Sequence, residues 1–193
     1  MFVTWVYPIG YVQNSSRIAD IWAHCGYFAV WACIVNPKSI ISSYEPDKDN
    51  QDIYTSNIEI NKLEDRAKLY PYGLGKKDEI IRFFQYKNSA LNSIILHPNI
   101  SIIGELQVHI KEAMKELSII NPDLLKVDVE GVEDEIVYAY LNAWWKPNFI
   151  CAEFSTNKER SDINGAKKFT EYPGYNHLRQ GIIVNSVLIT NPL

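Results

Sequence analysis

The sequence predicts an α/β protein built on a mostly parallel sheet. Two observations carry that expectation. Short β-rich runs alternate with helical stretches in both halves of the chain, from "RIADI" to "PNFICAEF", and such alternation implies right-handed βαβ crossovers. The segment "DLLKVDV" (123–129) is almost continuously apolar, the texture of a strand buried on both faces. The chain has 193 residues and no Gly/Ser linker, repeat or low-complexity stretch. It therefore reads as a single domain over 1–193 with one sizeable core.

The opening "MFVTWVYPIGYV" is apolar and aromatic, and Arg17 is the first charge. With no basic n-region and no small-residue cleavage site, residues 1–16 read as a first strand or a truncated lead-in helix. "RIADI" (17–21) is a strand, and a helix follows from Gly26 to about Val35, stopped by Asn36-Pro37. "SIISSY" (39–44) is the next strand, before a polar helix from about Asp47 to Asn61. "AKLYPY" (67–72) is a third, ending at Gly73-Leu74-Gly75. "EIIRFFQY" (79–86), "NSIIL" (92–96) and "ISIIGELQV" (100–108) are β-rich runs broken by Asn, Ser, His97-Pro98 and Gly104, as in a hairpin insertion over 79–108. A helix over about His109–Leu117 leads to the strand at 123–129. A further helix over about Val132–Ala143 leads to "PNFICAEF" (147–154), the fifth strand. "EYPGYNHL" and "GIIVNSVLI" read as a closing antiparallel hairpin.

Composition narrows the function classes. A net charge of -4 argues against a nucleic-acid surface. No apolar run approaches the roughly 18 residues of a membrane span. Cys25, Cys33 and Cys151 are odd in number, with no CxxC pair. That suits reduced, buried thiols in a cytoplasmic protein better than a disulfide frame or a metal site.

In an open parallel sheet, ligands bind at the carboxyl ends of the strands. The acids there are Asp20, Glu45, Asp128, Glu130 and Glu153. Strand ends are also where polar residues reappear, so a solvated or capping role stays open for each. Glu45 lies 25 residues past Asp20 and 19 past Gly26. A dinucleotide-type site places its ribose-binding acid about 20 residues beyond the glycine turn, where a carboxylate accepts from both ribose hydroxyls.

"DIWAHCGYFAV", "SYEPDKDN", "NIEIN", "YGLGKKDE" and "LLKVDVEGVEDEIV" occur in one order along the chain. In that order and at those separations, they resemble the FkbM family of S-adenosylmethionine-dependent methyltransferases from about Arg17 to Glu153. The family motif L-K-[IV]-D-[IV]-E-G-x-E is matched from Leu125 to Glu133 without a break. The resemblance implies a Rossmann-like class I methyltransferase: a seven-stranded, mostly parallel sheet with helices on both faces and a C-terminal antiparallel hairpin. It implies S-adenosyl-L-methionine as cofactor. Asp20, Ala23, Gly26 and Tyr27 would line the cofactor's methionine end, and Glu45 would hold the ribose. Pro46, Tyr72 and Gly73 would lie near the adenine. Asp128 would face the transferable methyl group as the catalytic residue, with Glu130 beside it. Glu153 would hold the acceptor, a hydroxyl of a sugar, glycan or secondary metabolite. No metal site, nucleic acid or membrane is implied.

Two departures stand out. Trp22 takes the place of the turn's first glycine, and His24 that of an asparagine. A glycine is wanted there because the backbone approaches the ligand with no Cβ in the way. Three readings of Trp22 are open. The indole points away and leaves a weakened site, or it fills the methionine pocket and leaves a non-catalytic scaffold, or one base change turned a glycine codon into a tryptophan codon. His24 titrates near neutrality, which suits a base, while a loop histidine on backbone or solvent is the plainer reading. His97, His109 and His177 have no partner at a telling spacing, and Trp144-Trp145 with Pro147 read as a packed helix end or a sugar-stacking platform. The short lead-in would also leave an exposed edge that favours a homo-oligomer.

Overall fold

The computed structural model describes residues 9–97, 99–129, 136–137, 148–153, 176–179 and 186–190. In chain order it forms α1 (Ile9–Gln13), β1 (Arg17–Ile21), α2 (Tyr27–Val35), β2 (Ile40–Tyr44), α3 (Lys48–Ile60), β3 (Ala67–Tyr70), β4 (Gly73–Gly75) and β5 (Glu79–Tyr86). A 3-10 turn (Ser89–Leu91), β6 (Ile102–Glu112), α4 (Ala113–Ile120), β7 (Leu124–Val127), β8 (Phe149–Glu153), β9 (Asn176–Arg179) and β10 (Ser186–Thr190) follow.

The main sheet has seven strands in the order β3-β2-β1-β7-β8-β10-β9. The pairings β2–β3, β1–β2, β1–β7 and β7–β8 are parallel, and β10 runs antiparallel to β8 and β9. This is the seven-stranded, mostly parallel arrangement with a closing hairpin that the sequence implies. Because β1 lies between β2 and β7, the strand order reverses there. The crevice at their carboxyl ends is the topological switch point, where such sheets bind ligands.

Side chains along the central strands alternate between two cores. Ile18, Ile41 and Leu124 join Phe28, Ala29, Ala32, Tyr54 and Ile58 on the α2–α3 face. Ala19, Ile21, Leu125 and Val127 join Leu74, Phe83, Ile110 and Leu117 on the other, under α4 and a second sheet of order β4-β6-β5. Burial at this density is worth roughly 1.5–3 kcal/mol per large apolar side chain. The helices are bounded by their own sequence. Asp47 caps α3 by accepting from Asp49 N at 2.9 Å, and α2 stops at Asn36, whose N–H donates to Ala32 O, just before Pro37.

Two elements differ from expectation. The helix expected over 109–117 starts only at Ala113, because β6 runs on to Glu112. Val108 and Ile110 continue the buried alternation, and Gly73, Leu74 and Gly75 pair with residues 110–112. Tertiary pairing overrides local propensity here. The strand expected at 92–96 is absent; Ser93 makes one isolated bridge to Phe84. The side chain of Asn92 takes the backbone's place, accepting from Tyr86 N at 2.8 Å. Among the described residues of the lead-in, a five-residue helix runs from Ile9 to Gln13, the second of the two alternatives the sequence offers. The helix expected over 132–143 lies mostly outside the described residues, as do Trp144, Trp145 and Pro147.

Candidate functional site

The turn from Trp22 to Gly26 follows β1 and carries three residues in the left-handed region: Trp22 (φ 61), His24 (φ 51) and Gly26 (φ 80). Each non-glycine residue there costs about 1–2 kcal/mol, so other contacts must fix the path. Ala23 N donates to Tyr44 O at 2.9 Å and Gly26 N to Ala23 O at 3.0 Å. His24 N donates to Glu45 Oε2 at 2.7 Å, and Lys126 Nζ donates to Trp22 O at 3.0 Å. Gly26 has no substitute, since a Cβ there would stand 2.6 Å from the Tyr54 ring. The indole of Trp22 turns inward instead of toward solvent and is 6% exposed. Its ring centroid lies 5.5 Å from that of Phe83, and Nε1 lies 3.5 Å from where a Gly73 Cβ would stand.

The second turn follows β2. Glu45 is buried, and Oε1 accepts from Asp47 N at 2.9 Å and weakly from Asn50 Nδ2 at 3.4 Å. Burial pushes its carboxyl up to about 7, while the Asp47, His24 and Asn50 donors pull it back down. Asp47 ties this turn to the insertion, because Oδ2 accepts from Gln85 Nε2 at 3.0 Å and from Asn92 Nδ2 at 2.7 Å.

The third contribution comes from β7. Asp20 and Lys126 are register partners on adjacent central strands, so their side chains share one face. Lys126 Nζ lies 3.0 Å from Asp20 Oδ1 and 3.6 Å from Asp128 Oδ2. Burial opposes its charge, but the two carboxylates outweigh that and hold the ammonium above its usual range. Lys126 thus presents a fixed positive charge behind Asp128, whose side chain is 33% exposed. His24 Nε2 lies 2.9 Å from Ser89 Oγ, and burial, helped by Lys126, lowers its pKa, so the imidazole is neutral at neutral pH.

These groups enclose a cavity of about 140 Å³ with a polar wall of His24, Glu45, Asn50, Ser89, Asn92 and Asp128 and an aromatic wall of Trp22 and Phe83.

No protein-family model matches the chain. It is 27% identical over 159 residues to the hexuronic acid methyltransferase AglP of Haloferax volcanii, covering 79% of this chain and 62% of that one. It is 23% identical over 197 residues to Methyltransferase 1 of Beauveria bassiana, covering 91% of this chain and 78% of that one. Among solved structures, methyltransferase FkbM from Methylobacillus flagellatus superposes with a TM-score of 0.61 at 14% identity, covering 92% of this chain and 44% of that one. The chain has the fold of an FkbM-type S-adenosylmethionine-dependent methyltransferase. Both of these sequence relatives are methyltransferases, in keeping with that fold.

Within this methyltransferase fold, Glu45 and Asp128 meet in one cavity wall. Asp20 does not reach it: strand alternation turns its carboxyl to the α2–α3 face, where it is fully buried against Lys126. Tyr27 opens α2 and is 64% exposed, lining no described cavity. Ala23 and Gly26 belong to the turn itself. Gly73 lies beside the indole Nε1 and Pro46 beside Gly73, since a Gly73 Cβ would stand 3.5 Å from the first and 3.6 Å from Pro46 Cβ. Tyr72 packs on Tyr44 and Tyr70 and donates its hydroxyl to Glu116 at 2.9 Å. Glu130 lies outside the described residues, and so does the side chain of Glu153, whose backbone ends β8.

Sequence reasoning missed Asn50, Phe83, Ser89, Asn92 and Lys126. Only Lys126 carried a signal, as the charged residue inside an otherwise apolar strand two positions before Asp128. A buried lysine there demands a carboxylate partner.

Proposed function

We propose that the chain transfers a methyl group from S-adenosylmethionine to a hydroxyl of a sugar, glycan or related secondary metabolite, a hexuronic acid among the first to try. The single observation that carries this reading is the meeting of two carboxylates of different character in one cavity at the sheet's switch point. Glu45 is buried among N–H donors, and Asp128 is partly exposed beside a buried ammonium.

The polar half of the site fits the cofactor's chemistry. Glu45 accepts hydrogen bonds and would hold the ribose hydroxyls, with Asn50 beside it. When bound, S-adenosylmethionine supplies an electrophilic methyl group on a sulfonium sulfur. The protein's part is then to align the acceptor oxygen, exclude water and take up its proton. Asp128 orients the acceptor hydroxyl and receives that proton, with the Lys126 ammonium 3.6 Å behind it. His24, neutral and in the same wall, shapes the acceptor side. Glu130 and Glu153 complete that side in this reading. The insertion supplies Phe83, Ser89 and Asn92 to the cavity and is where acceptor specificity resides. Residues 1–193 act as one cytoplasmic catalytic unit.

The test supplies S-adenosyl-[methyl-³H]methionine with a panel of hexuronic acids and neutral sugars. The expected outcome is label on at least one acceptor, with turnover lowered about 100-fold or more in Asp128→Asn and cofactor affinity unchanged. A chain that binds the cofactor but labels no acceptor contradicts the assignment.

A further inference from the structure

The cavity shared by Glu45 and Asp128 holds about 140 Å³, whereas pockets for ligands of cofactor size run to roughly 300–1,000 Å³. A second cavity of about 50 Å³ is lined by Leu74, Ile81, Ile94 and Ile110, together with Lys76 and Glu79. Trp22 lines both. One indole therefore borders both a polar cavity suited to a ribose and a more apolar one.

We propose that the Trp22 indole is a gate: it fills the slot of the cofactor's purine and must swing out for the cofactor to bind, joining the two cavities. The inference rests on the cofactor reading above and adds to it which residue controls entry.

Several observations support it. Trp22 lines the cavity that holds Glu45 and also the second, more apolar one. The indole is a flat bicycle like a purine, and it packs against Phe83 with its Nε1 close to the bare backbone of Gly73, which lies near Pro46. A purine entering as the indole leaves would keep that slot filled, so the exchange opens no lasting void. Next, the indole is held by packing alone. Its Nε1 is buried and has no hydrogen-bond partner among the described residues, so rotation breaks no hydrogen bond and frees an unsatisfied donor. The main chain, by contrast, is pinned. Lys126 holds Trp22 O, and the neighbouring N–H groups of Ala23 and His24 are bonded to Tyr44 O and Glu45. The side chain can therefore move while the turn stays. Finally, φ 61 at Trp22 is a backbone conformation that glycine adopts without strain. Trp22→Gly removes the gate and leaves the path of the turn intact.

The expected size of the effect follows from population shift. If the open form makes up a tenth of the protein or less, apparent affinity falls at least about tenfold. The experiment titrates S-adenosylhomocysteine calorimetrically into the wild type, Trp22→Gly and Trp22→Ala, each first checked for a cooperative melt. In parallel, the wild type labelled with 5-fluorotryptophan is followed by ¹⁹F NMR. The chain has five tryptophans, and the Trp22 resonance is the one lost in Trp22→Phe. The gate predicts binding at least about tenfold tighter in the two small-residue variants than in the wild type, and a Trp22 resonance that moves on saturation of the wild type. Equal affinities, or an unmoved Trp22 resonance, overturn the gate and leave the cofactor reading standing. Binding by the variants with none by the wild type makes Trp22 a fixed plug and overturns the swing. Binding by none of the three overturns both readings.

Discussion

The turns after β1 and β2 meet at the same cavity but are built in opposite ways. The β1 turn keeps its shape despite its side chains: tryptophan and histidine sit at φ 61 and φ 51, where such residues are strained. The β2 turn keeps its shape because of its side chains, with both Glu45 oxygens and both Asp47 oxygens engaged by N–H donors. The two are coupled by the bond from His24 N to Glu45 Oε2, beside that from Ala23 N to Tyr44 O at the end of β2. The difference shows that a ligand turn can lose its expected small residues and keep its backbone, provided a neighbouring turn holds it. What changes is the room left for a ligand.

That comparison can be broken at several points. Gly26→Ala strikes the one position in the β1 turn where neither strain nor space is negotiable, given φ 80 and a Tyr54 ring atom 2.6 Å from the added Cβ. A loss of about 2–4 kcal/mol of stability is expected by urea denaturation; a change near zero would show that the turn is not held as described. Asn92→Ala cuts one of the two ties from the β2 turn to the insertion, leaving Asp47 Oδ2 with Gln85 alone and Tyr86 N short of its partner. It should cost about 1–3 kcal/mol, and an additive double mutant with Gln85→Ala would argue against a shared network.

The third effect is one of pH. Burial raises the Glu45 carboxyl from 4.5 to about 7, so the folded state holds that proton over a range where the unfolded chain has released it. Stability from this group is therefore greatest below about 4.5 and falls as pH rises toward about 7. Ribose hydroxyls need the ionised form as acceptor, so S-adenosylhomocysteine should bind about tenfold more tightly at pH 8 than at pH 6, with proton release that calorimetry in two buffers detects. Flat affinity across that range would sharpen the comparison by showing Glu45 already ionised.

Much of the sheet is legible in the residues, because its central strands read as apolar runs and its helices as the stretches between them. Glu45 and Asp128 are legible too, as acids at the ends of such runs. The extent of β6 is not, because residues 109–112 join the second sheet only through pairing with β4 and β5. Ser89 and Asn92 are polar residues in a broken stretch, and nothing local announces that Asn92 reaches Asp47, 45 positions away. The direction of the Trp22 indole is hidden for the same reason. It depends on Phe83 and Gly73, which two other elements supply.

The claim on which the account turns is that Glu45 marks a ribose site. Calorimetric titration of S-adenosylhomocysteine into the wild type and Glu45→Ala at pH 8 tests it. Two hydrogen bonds to a charged acceptor are worth about 3 kcal/mol or more, so the account predicts saturable one-to-one binding by the wild type that weakens about 100-fold or more in the variant. Equal affinity in a folded Glu45→Ala would contradict it.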